Sequence, residues 1–498
     1  MGIARQSQGK RQGQDRMIVI GLDLGTSGIK ALAIDDDQSI LAEASAELSV
    51  DRPHDGWSEQ NPADWIAATE TAIAALLDRI DPGAVRGIGL SGQMHGATLL
   101  DASDKVLRPC MLWNDTRSHA EAAAFDADPQ FREITGNIVF PGFTAPKLDW
   151  VRRHEPHVFE KIAKVLLPKD YLRLWLTGEH VSEMSDAAGT GWLDVAARDW
   201  SDPLLGATGL DRAQMPRLVE GSEVSGKLRP EIAARWGLAE DVVVAGGGGD
   251  NAASAVGMGV VETGTAFVSL GTSGVLFAAT QGFNPNAESA VHSFCHALPD
   301  RWHQMGVILA AADAMNWFAG VLGSPAAALT ADLGELRAPS RTLFLPYLGG
   351  ERTPHNDAHV RASFLHMGHD TDRRALVRAV LEGVSFAIRD SRDALASTGT
   401  RFDRLIGVGG GTRSEYWLKA IATALDLPVE LPVAGDFGGA FGAARLGLMA
   451  ASGQGAEIAT PPAISRVVEP ERDLATAFSE AHGRYKESYA ALKALSRG

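Results

Sequence analysis

The pentapeptide Leu-Gly-Thr-Ser-Gly occurs twice, at residues 24–28 and 270–274, once in each half of the chain. Each copy follows an apolar strand-like run, Met17 to Leu22 and Thr265 to Leu270, and each precedes a second one, Ile29 to Ile34 and Val275 to Ala279. Strand, turn of small residues and strand make a hairpin whose turn offers backbone N–H groups and hydroxyls, the chemistry that cradles phosphate oxygens. Between the two copies, Val242 to Ala245 reads as a buried strand that runs into Gly246 to Gly249 and then Asp250-Asn251. Glycine lets the backbone approach a ligand without a Cβ in the way, so the acid and the amide are presented at an open strand end. A Gly-rich acidic turn taken alone is often only a turn. Flanked by two phosphate-type turns, it predicts a duplicated, two-lobed phosphotransferase with nucleotide in the cleft.

Periodicity along the chain supports an α/β architecture in each half. The first lobe reads as strands at 17–23, 29–34 and 39–49, followed by a helix from about Ala63 to Asp81 with Asn61 as N-cap and Pro62 at its first position. Strands near 86–91 and 96–101 flank a tight turn at Gln93 to Gly96, a further strand runs to Trp113, and the stretch to Asp194 reads as largely helical. The second lobe repeats the hairpin and adds strands near 290–297 and 302–309. Its long helix, from about Asp372 to Thr398, puts Leu376, Val380, Val384, Ile388 and Leu395 on one stripe. Residues Gly221 to Leu228 have P-loop spacing, but Leu228 stands where a magnesium-binding hydroxyl is required, so the segment reads as a loop.

A chain of 498 residues is too long for one core and suits two domains. With 46 Lys plus Arg against 62 Asp plus Glu, a net charge of −16, it offers no evident basic stripe for nucleic acid, and no apolar run approaches membrane-spanning length. Its two cysteines, Cys110 and Cys295, suit a reducing cytoplasm. Residues 1–16 are rich in Gly, Gln and basic residues and read as a disordered extension. His292, Cys295 and His296 have loose metal-ligand spacing, without a fourth ligand in sight, and read as a buried strand.

Gly21-Leu-Asp-Leu-Gly-Thr-Ser27, the second Gly-Thr-Ser-Gly, Gly407-Val-Gly-Gly-Gly-Thr412 and the segment Gly142 to His154 resemble the motifs of the FGGY carbohydrate kinases, within the actin-like ATPase superfamily. Ser91-Gly-Gln-Met-His-Gly96, Leu112-Trp-Asn-Asp115, Gly247 to Asn251, Ala290 to His296 and Gly350-Glu-Arg-Thr-Pro-His355 resemble the branch that phosphorylates D-xylulose to its 5-phosphate. The resemblance implies two actin-like (ribonuclease H-like) domains, 17–250 and 251–498, with a nucleotide and sugar cleft between them. It implies ATP and Mg²⁺ as cofactors and a small pentulose as partner, and leaves a homodimer open. Asp250 is expected as general base, ionised at neutral pH with an ordinary pKa near ~4. Asp23 is expected to hold Mg²⁺ through waters. Thr26, Ser27 and Lys30 from one lobe, with Gly271 and Thr272 from the other, are expected at the β- and γ-phosphates, and Gly410 and Gly411 at the adenosine. Met94, His95, Asp250 and Asn251 are expected on the sugar, with Trp113 as a wall or else a core residue, and His95 as ligand or else a structural histidine. Two alternatives stand beside this. One is another FGGY kinase acting on ribulose, gluconate or a polyol, which the Met94-His95 pair argues against. The other is a non-metabolic actin-like ATPase, which would have no use for a substrate turn.

Overall fold

The computed structural model describes residues 17–433, 435 and 437–495; the extension read at 1–16 lies outside them. The first sheet contains β1 (Ile18–Leu24), β2 (Gly28–Asp35), β3 (Ile40–Glu47), β4 (Val85–Gly92), β5 (Val224–Lys227) and β6 (Val243–Ala245), with β7 (Gly248–Gly249) also pairing on β4. Its order is β3-β2-β1-β4-β6-β5. The pairs β3–β2 and β2–β1 are antiparallel, β1–β4 and β4–β6 parallel, and β6–β5 antiparallel.

The second sheet contains β8 (Gly264–Leu270), β9 (Gly274–Thr280), β10 (His292–Cys295), β11 (Trp302–Ile308), β12 (Phe402–Val408), β13 (Val429–Pro432) and β14 (Ile464–Val468). From β11 its order is β11-β9-β8-β12-β13-β14, with the same sequence of antiparallel and parallel pairs, and β10 lies outside β11. Each half is therefore the same six-strand arrangement built on a pentapeptide hairpin. The duplication read from ten residues extends to the whole topology. Segment 221–228 differs from its reading as a loop. Its second half is the edge strand β5, in which Gly226 pairs with Val244 and Lys227 with Val243.

Strand period 2 decides what faces what. On β1, Ile18, Ile20, Leu22 and Leu24 pack with helix α1 (Pro62–Leu77) through Trp65, Ile73 and Leu76. Asn61 caps that helix as expected, its Oδ1 accepting from the Ala63 amide at 3.1 Å. The alternate residues Val19, Gly21 and Asp23 meet α4 (Gly439–Ser452). This helix follows the second sheet's core strands in sequence yet lies on the first sheet, against α2 (Asp250–Met258). The contact is almost backbone to backbone. A Cβ on Gly21 would stand 1.9 Å from the Ala440 carbonyl oxygen, one on Gly89 1.7 Å from Ala443's, and one on Gly442 1.7 Å from Ala253's. The long helix of the second half is α3 (Arg373–Ala396), capped by Asp372 and buried along the predicted stripe at Val380, Val384, Ile388 and Leu395. Leu376 packs at its partly buried edge.

Candidate active site

The two pentapeptide turns are built alike. Gly25 N–H closes the first on the Gly28 carbonyl at 2.9 Å, while the amides of Thr26 and Ser27 bond to no group among the described residues. In the second turn the Gly271 and Thr272 carbonyls accept from the amides of Ala312 and Ala311, both at 2.9 Å. The Gly271 and Thr272 amides likewise find no partner among the described residues. Unpaired N–H groups on such turns are what phosphate oxygens bind. Thr26 departs from expectation in one respect. Its hydroxyl donates to Gln93 Oε1 at 3.0 Å and accepts from Trp113 Nε1 at 3.0 Å, so its amide is the group turned outward. Gln60, which the sequence reading did not single out, completes the link by donating to the Thr26 carbonyl at 2.8 Å and accepting from Gln93 at 3.0 Å.

Asp23 ends β1 on the face that meets α4. Its carboxylate lies against Gly439 at that helix's N-terminus, where the helix dipole favours an anion, and accepts from Ser91 Oγ at 2.7 Å. Asp250 opens α2, and its Oδ1 accepts from the Asn251 amide at 2.7 Å and Asn251 Nδ2 at 3.0 Å. Burial, and then the negative charge of Asp23, push the Asp250 carboxyl up to about 6. The ordinary acid expected at this position is thus a strained one.

The turn after β4 carries Met94 and His95. Met94 is wedged between glycines: a Cβ on Gly249 would stand 3.0 Å from its sulfur, and one on Gly189 2.8 Å from its Cε. The positive φ of the turn belongs to His95 itself, at 70°, and not to Gly92 or Gly96. Those two are small because Lys169 and Pro168 press on them. His95 Nδ1 lies 2.6 Å from the Gly189 carbonyl oxygen, its ring stacks on Phe143 with centroids 4.9 Å apart, and its own carbonyl accepts from Thr144 Oγ1 and Lys147 Nζ at 3.2 and 2.9 Å. Because a carbonyl only accepts, Nδ1 carries the hydrogen and Nε2 is left as an acceptor. Burial lowers the imidazole to about 3, so it is neutral. The same burial brings the Lys147 ammonium down to about 7.

Trp113 is 49% exposed and so no core residue; its strand ends earlier, at Met111. Lys30 pairs with Glu43 at 2.7 Å. It lines a cleft of about 760 Å³ with Asn251 and Ser254, opposite Ser269, Val408 and Gly409. Gly410 and Gly411 line a neighbouring cavity of about 550 Å³ with Asn316, Ser414 and Trp417. His292 and Cys295 are buried in β10 and His296 follows it, with Cys295 and His296 bonded to the carbonyls of Val195 and Val260.

A buried charge cluster beneath the site went unread in the sequence. Lys169 Nζ lies 2.8 Å from Asp170, 3.3 Å from Glu183 and 2.8 Å from Asp186. Burial pushes Asp186 up to about 8. Ser185 Oγ accepts from the Gly249 amide at 3.0 Å, and Arg173 donates to the Gly246 carbonyl, so the cluster grips the strand that aims Asp250. Its members lie tens of residues from Asp250, and only the fold assembles them.

The chain matches the N-terminal domain of the FGGY family of carbohydrate kinases over residues 18–257 and the C-terminal domain over 266–451. It is 52% identical to the xylulose kinase of Escherichia coli (strain K12) across 87% of this chain and 90% of that one. The crystal structure of a xyloylose kinase from Brucella ovis superposes with a TM-score of 0.95 at 63% identity, covering 96% of this chain and all of the other. The xylulose kinase from Rhodospirillum rubrum gives 0.90 at 29% identity, covering 97% of this chain and 100% of that one. With both family domains matched in order on two copies of one sheet, the protein belongs to the FGGY family of carbohydrate kinases.

Proposed function

We propose that the protein transfers the γ-phosphoryl group of ATP to the 5-hydroxyl of D-xylulose, giving D-xylulose 5-phosphate and ADP, in a cleft between lobes 17–250 and 251–498. The observation that carries the reading is Asp250, a carboxylate raised to about 6 at the end of the glycine strand, next to Asp23 and to the Met94 turn that packs on Gly249. The choice of sugar draws on the relatives in Escherichia coli, Brucella ovis and Rhodospirillum rubrum, described as xylulose or xyloylose kinases.

Asp250 accepts the proton of the 5-hydroxyl as that oxygen bonds to the γ-phosphorus and the bond from phosphorus to the β-bridging oxygen breaks. A base whose pKa sits near the working pH holds the proton without being neutralised beforehand. The amides of Thr26, Ser27, Gly271 and Thr272 receive the β- and γ-phosphate oxygens, and Lys30 adds a positive charge at the cleft wall. Mg²⁺, when bound with the nucleotide, supplies further charge neutralisation at those oxygens. Asp23 fits it, because a single carboxylate with phosphates and waters is the donor set Mg²⁺ takes, and a cation there relieves the repulsion between Asp23 and Asp250. Gly410 and Gly411 leave room for the adenosine. On the sugar, Met94 gives an apolar contact, His95 Nε2 accepts a hydroxyl hydrogen, Asn251 steadies the base and Trp113 closes the wall. Buried free thiols at Cys110 and Cys295 support a reducing cytoplasm as the working compartment.

The test is ADP release measured with D-xylulose, D-ribulose, gluconate, glycerol and no sugar. ADP release that depends on D-xylulose and favours it is expected. Turnover indifferent to sugar would replace the reading with a non-metabolic ATPase, and a better substrate among the others would replace the sugar.

A further inference from the structure

We infer that Arg352 is a specificity-determining residue for the keto end of the substrate, its guanidinium donating to the C2 carbonyl oxygen at the end of the sugar site remote from Asp250. The inference rests on the pentulose-kinase reading above and goes beyond it to a residue of the second lobe.

Arg352 follows a glutamate with which it makes no ion pair among the described residues. Glu351 is turned inward, where its Oε1 accepts from the amides of Leu309 at 2.9 Å and Arg352 at 2.8 Å. Among the described residues the Arg352 side chain makes no hydrogen bond or ion pair. It lies instead over the ring of Phe140, 4.3 Å from the centroid. That ring is 5.7 Å from Phe143, which stacks on His95, and 5.3 Å from His292. A cation from the second lobe thus stands two aromatic rings, Phe140 and Phe143, away from the sugar-facing histidine of the first. Electrostatics agree with this placing. Burial keeps the His95 and His292 imidazoles neutral, and the positive charge of Arg352 adds to the effect on both. The Asp250 carboxyl responds to burial, Asp23 and Asn251, with no contribution from Arg352. Arg352 therefore belongs to the His95 and His292 side of the site.

The chemistry of the site needs such a group. Asp250 and His95 Nε2 both accept, which suits hydroxyls. A ketose also presents one oxygen with no hydrogen to give. Guanidinium has five N–H groups, no acceptor and a charge it does not lose, so it matches a carbonyl. In the pentitols made by reducing that carbonyl, the C2 hydroxyl brings a hydrogen that would face only other donors. A buried donor left without a partner is penalised.

The experiment is steady-state kinetics with D-xylulose and with its two reduction products, xylitol and D-arabinitol, at saturating ATP. For Arg352→Gln, kcat/KM on D-xylulose is expected to fall roughly 10- to 100-fold, the range a charge-assisted hydrogen bond commands. Pentitol values should hold within about 3-fold, because a C2 hydroxyl hydrogen has nothing to gain from a group of donors, and KM for ATP should be unchanged, because Arg352 lines neither the cleft nor the cavity beside it. Arg352→Lys keeps the charge over Phe140 but loses the planar fork, so it should still lose part of the ketose preference; it also serves if the glutamine variant melts early. Equal losses on ketose and pentitols would overturn the inference and make Arg352 a strut between lobes. So would full ketose preference in both variants. Asp250→Asn run beside them separates the two readings. Turnover that survives in that variant removes the kinase mechanism, whereas an Arg352 failure alone leaves it standing.

Discussion

At Asp250 the carboxyl is held near 6 against an ordinary 3.8, which bears on both rate and stability. As the proposed base, Asp250 must be ionised to accept a proton, so kcat/KM should fall as pH drops through about 6 and level off above it. His95, lowered to about 3, should add no limb between pH 5 and 8. Asp250→Asn should abolish phosphorylation, by about 10³-fold or more, and leave ATP binding near normal; wild-type turnover would end the assignment. The same variant should melt higher at pH 7. A raised carboxylate pKa means that ionisation costs folding stability, a penalty that is absent below about 3.8 and complete above about 6, and the amide escapes it. Thermal melts from pH 4 to 8 test this: a gain that does not grow across that window would contradict the shift. For His95, Asn is the informative substitution. Its Nδ2 can still donate to the Gly189 carbonyl and hold the turn, while the Nε2 acceptor is gone. A loss of about 10²-fold or more in kcat/KM for D-xylulose with KM for ATP unchanged marks a ligand; full activity marks a structural histidine. Little of this was legible in the chain. Glycines and a tight turn single out Asp250 and His95 as candidates, but their protonation comes from Asp23, Gly189 and burial, which only the fold brings together.

Among the elements, helix α4 depends on the absence of side chains at its contacts. A methyl group on Gly442 would enter the Ala253 carbonyl at 1.7 Å, with backbone on both sides and no flexible side chain to yield. Gly442→Ala should therefore destabilise by more than the 1–3 kcal/mol of ordinary overpacking, or leave the protein insoluble. Gly410→Ala is the contrast, since nothing lies within 4 Å of an added Cβ there. It should fold and melt as wild type, and any loss should appear in KM for ATP. Equal melting of the two variants would show that the α2–α4 contact is loose. The hairpins could be read ahead of the structure because strand alternation and a repeated turn are local signals. The crossing of α4 onto the first sheet could not, since its apolar and glycine faces fit either sheet equally well by pattern. The same limit hid the edge strand β5 behind a P-loop-like spacing in which Gly221 in fact lies against the Ala297 and Gly247 carbonyls and Gly226 against the Thr177 and Glu179 side chains.

For the molecule as a whole, the two sheets are already tied on one side and apart on the other. Asn137 joins the halves through Ser293, donating from Nδ2 to its carbonyl and accepting from its amide, both at 2.9 Å, and the His95, Phe143, His292 and Phe294 rings pack across the same side. Helices α2 and α4 lock glycine to backbone behind the glycine strand. The 760 Å³ cleft is floored by Asn251, Ser254 and Met258 of α2 and opens between Ile40, Lys30 and Glu43 on one rim and Val408, Gly409 and Pro432 on the other. On the proposed reading one transition state is met by phosphate-binding groups of both lobes, and water left in the cleft would compete with the sugar for the phosphoryl group. Closure should therefore pivot on the packed side and narrow the open one. Labels placed at Glu43→Cys and Pro432→Cys report it, since the native thiols Cys110 and Cys295 are buried and stay silent. With D-xylulose and a non-hydrolysable ATP analogue the distance between the labels should shorten by several ångströms and scattering should show compaction, while a label pair spanning the Asn137–Ser293 side should not change. A rim distance that stays fixed would mean that the cleft is preformed, and that both phosphate turns reach the nucleotide without moving.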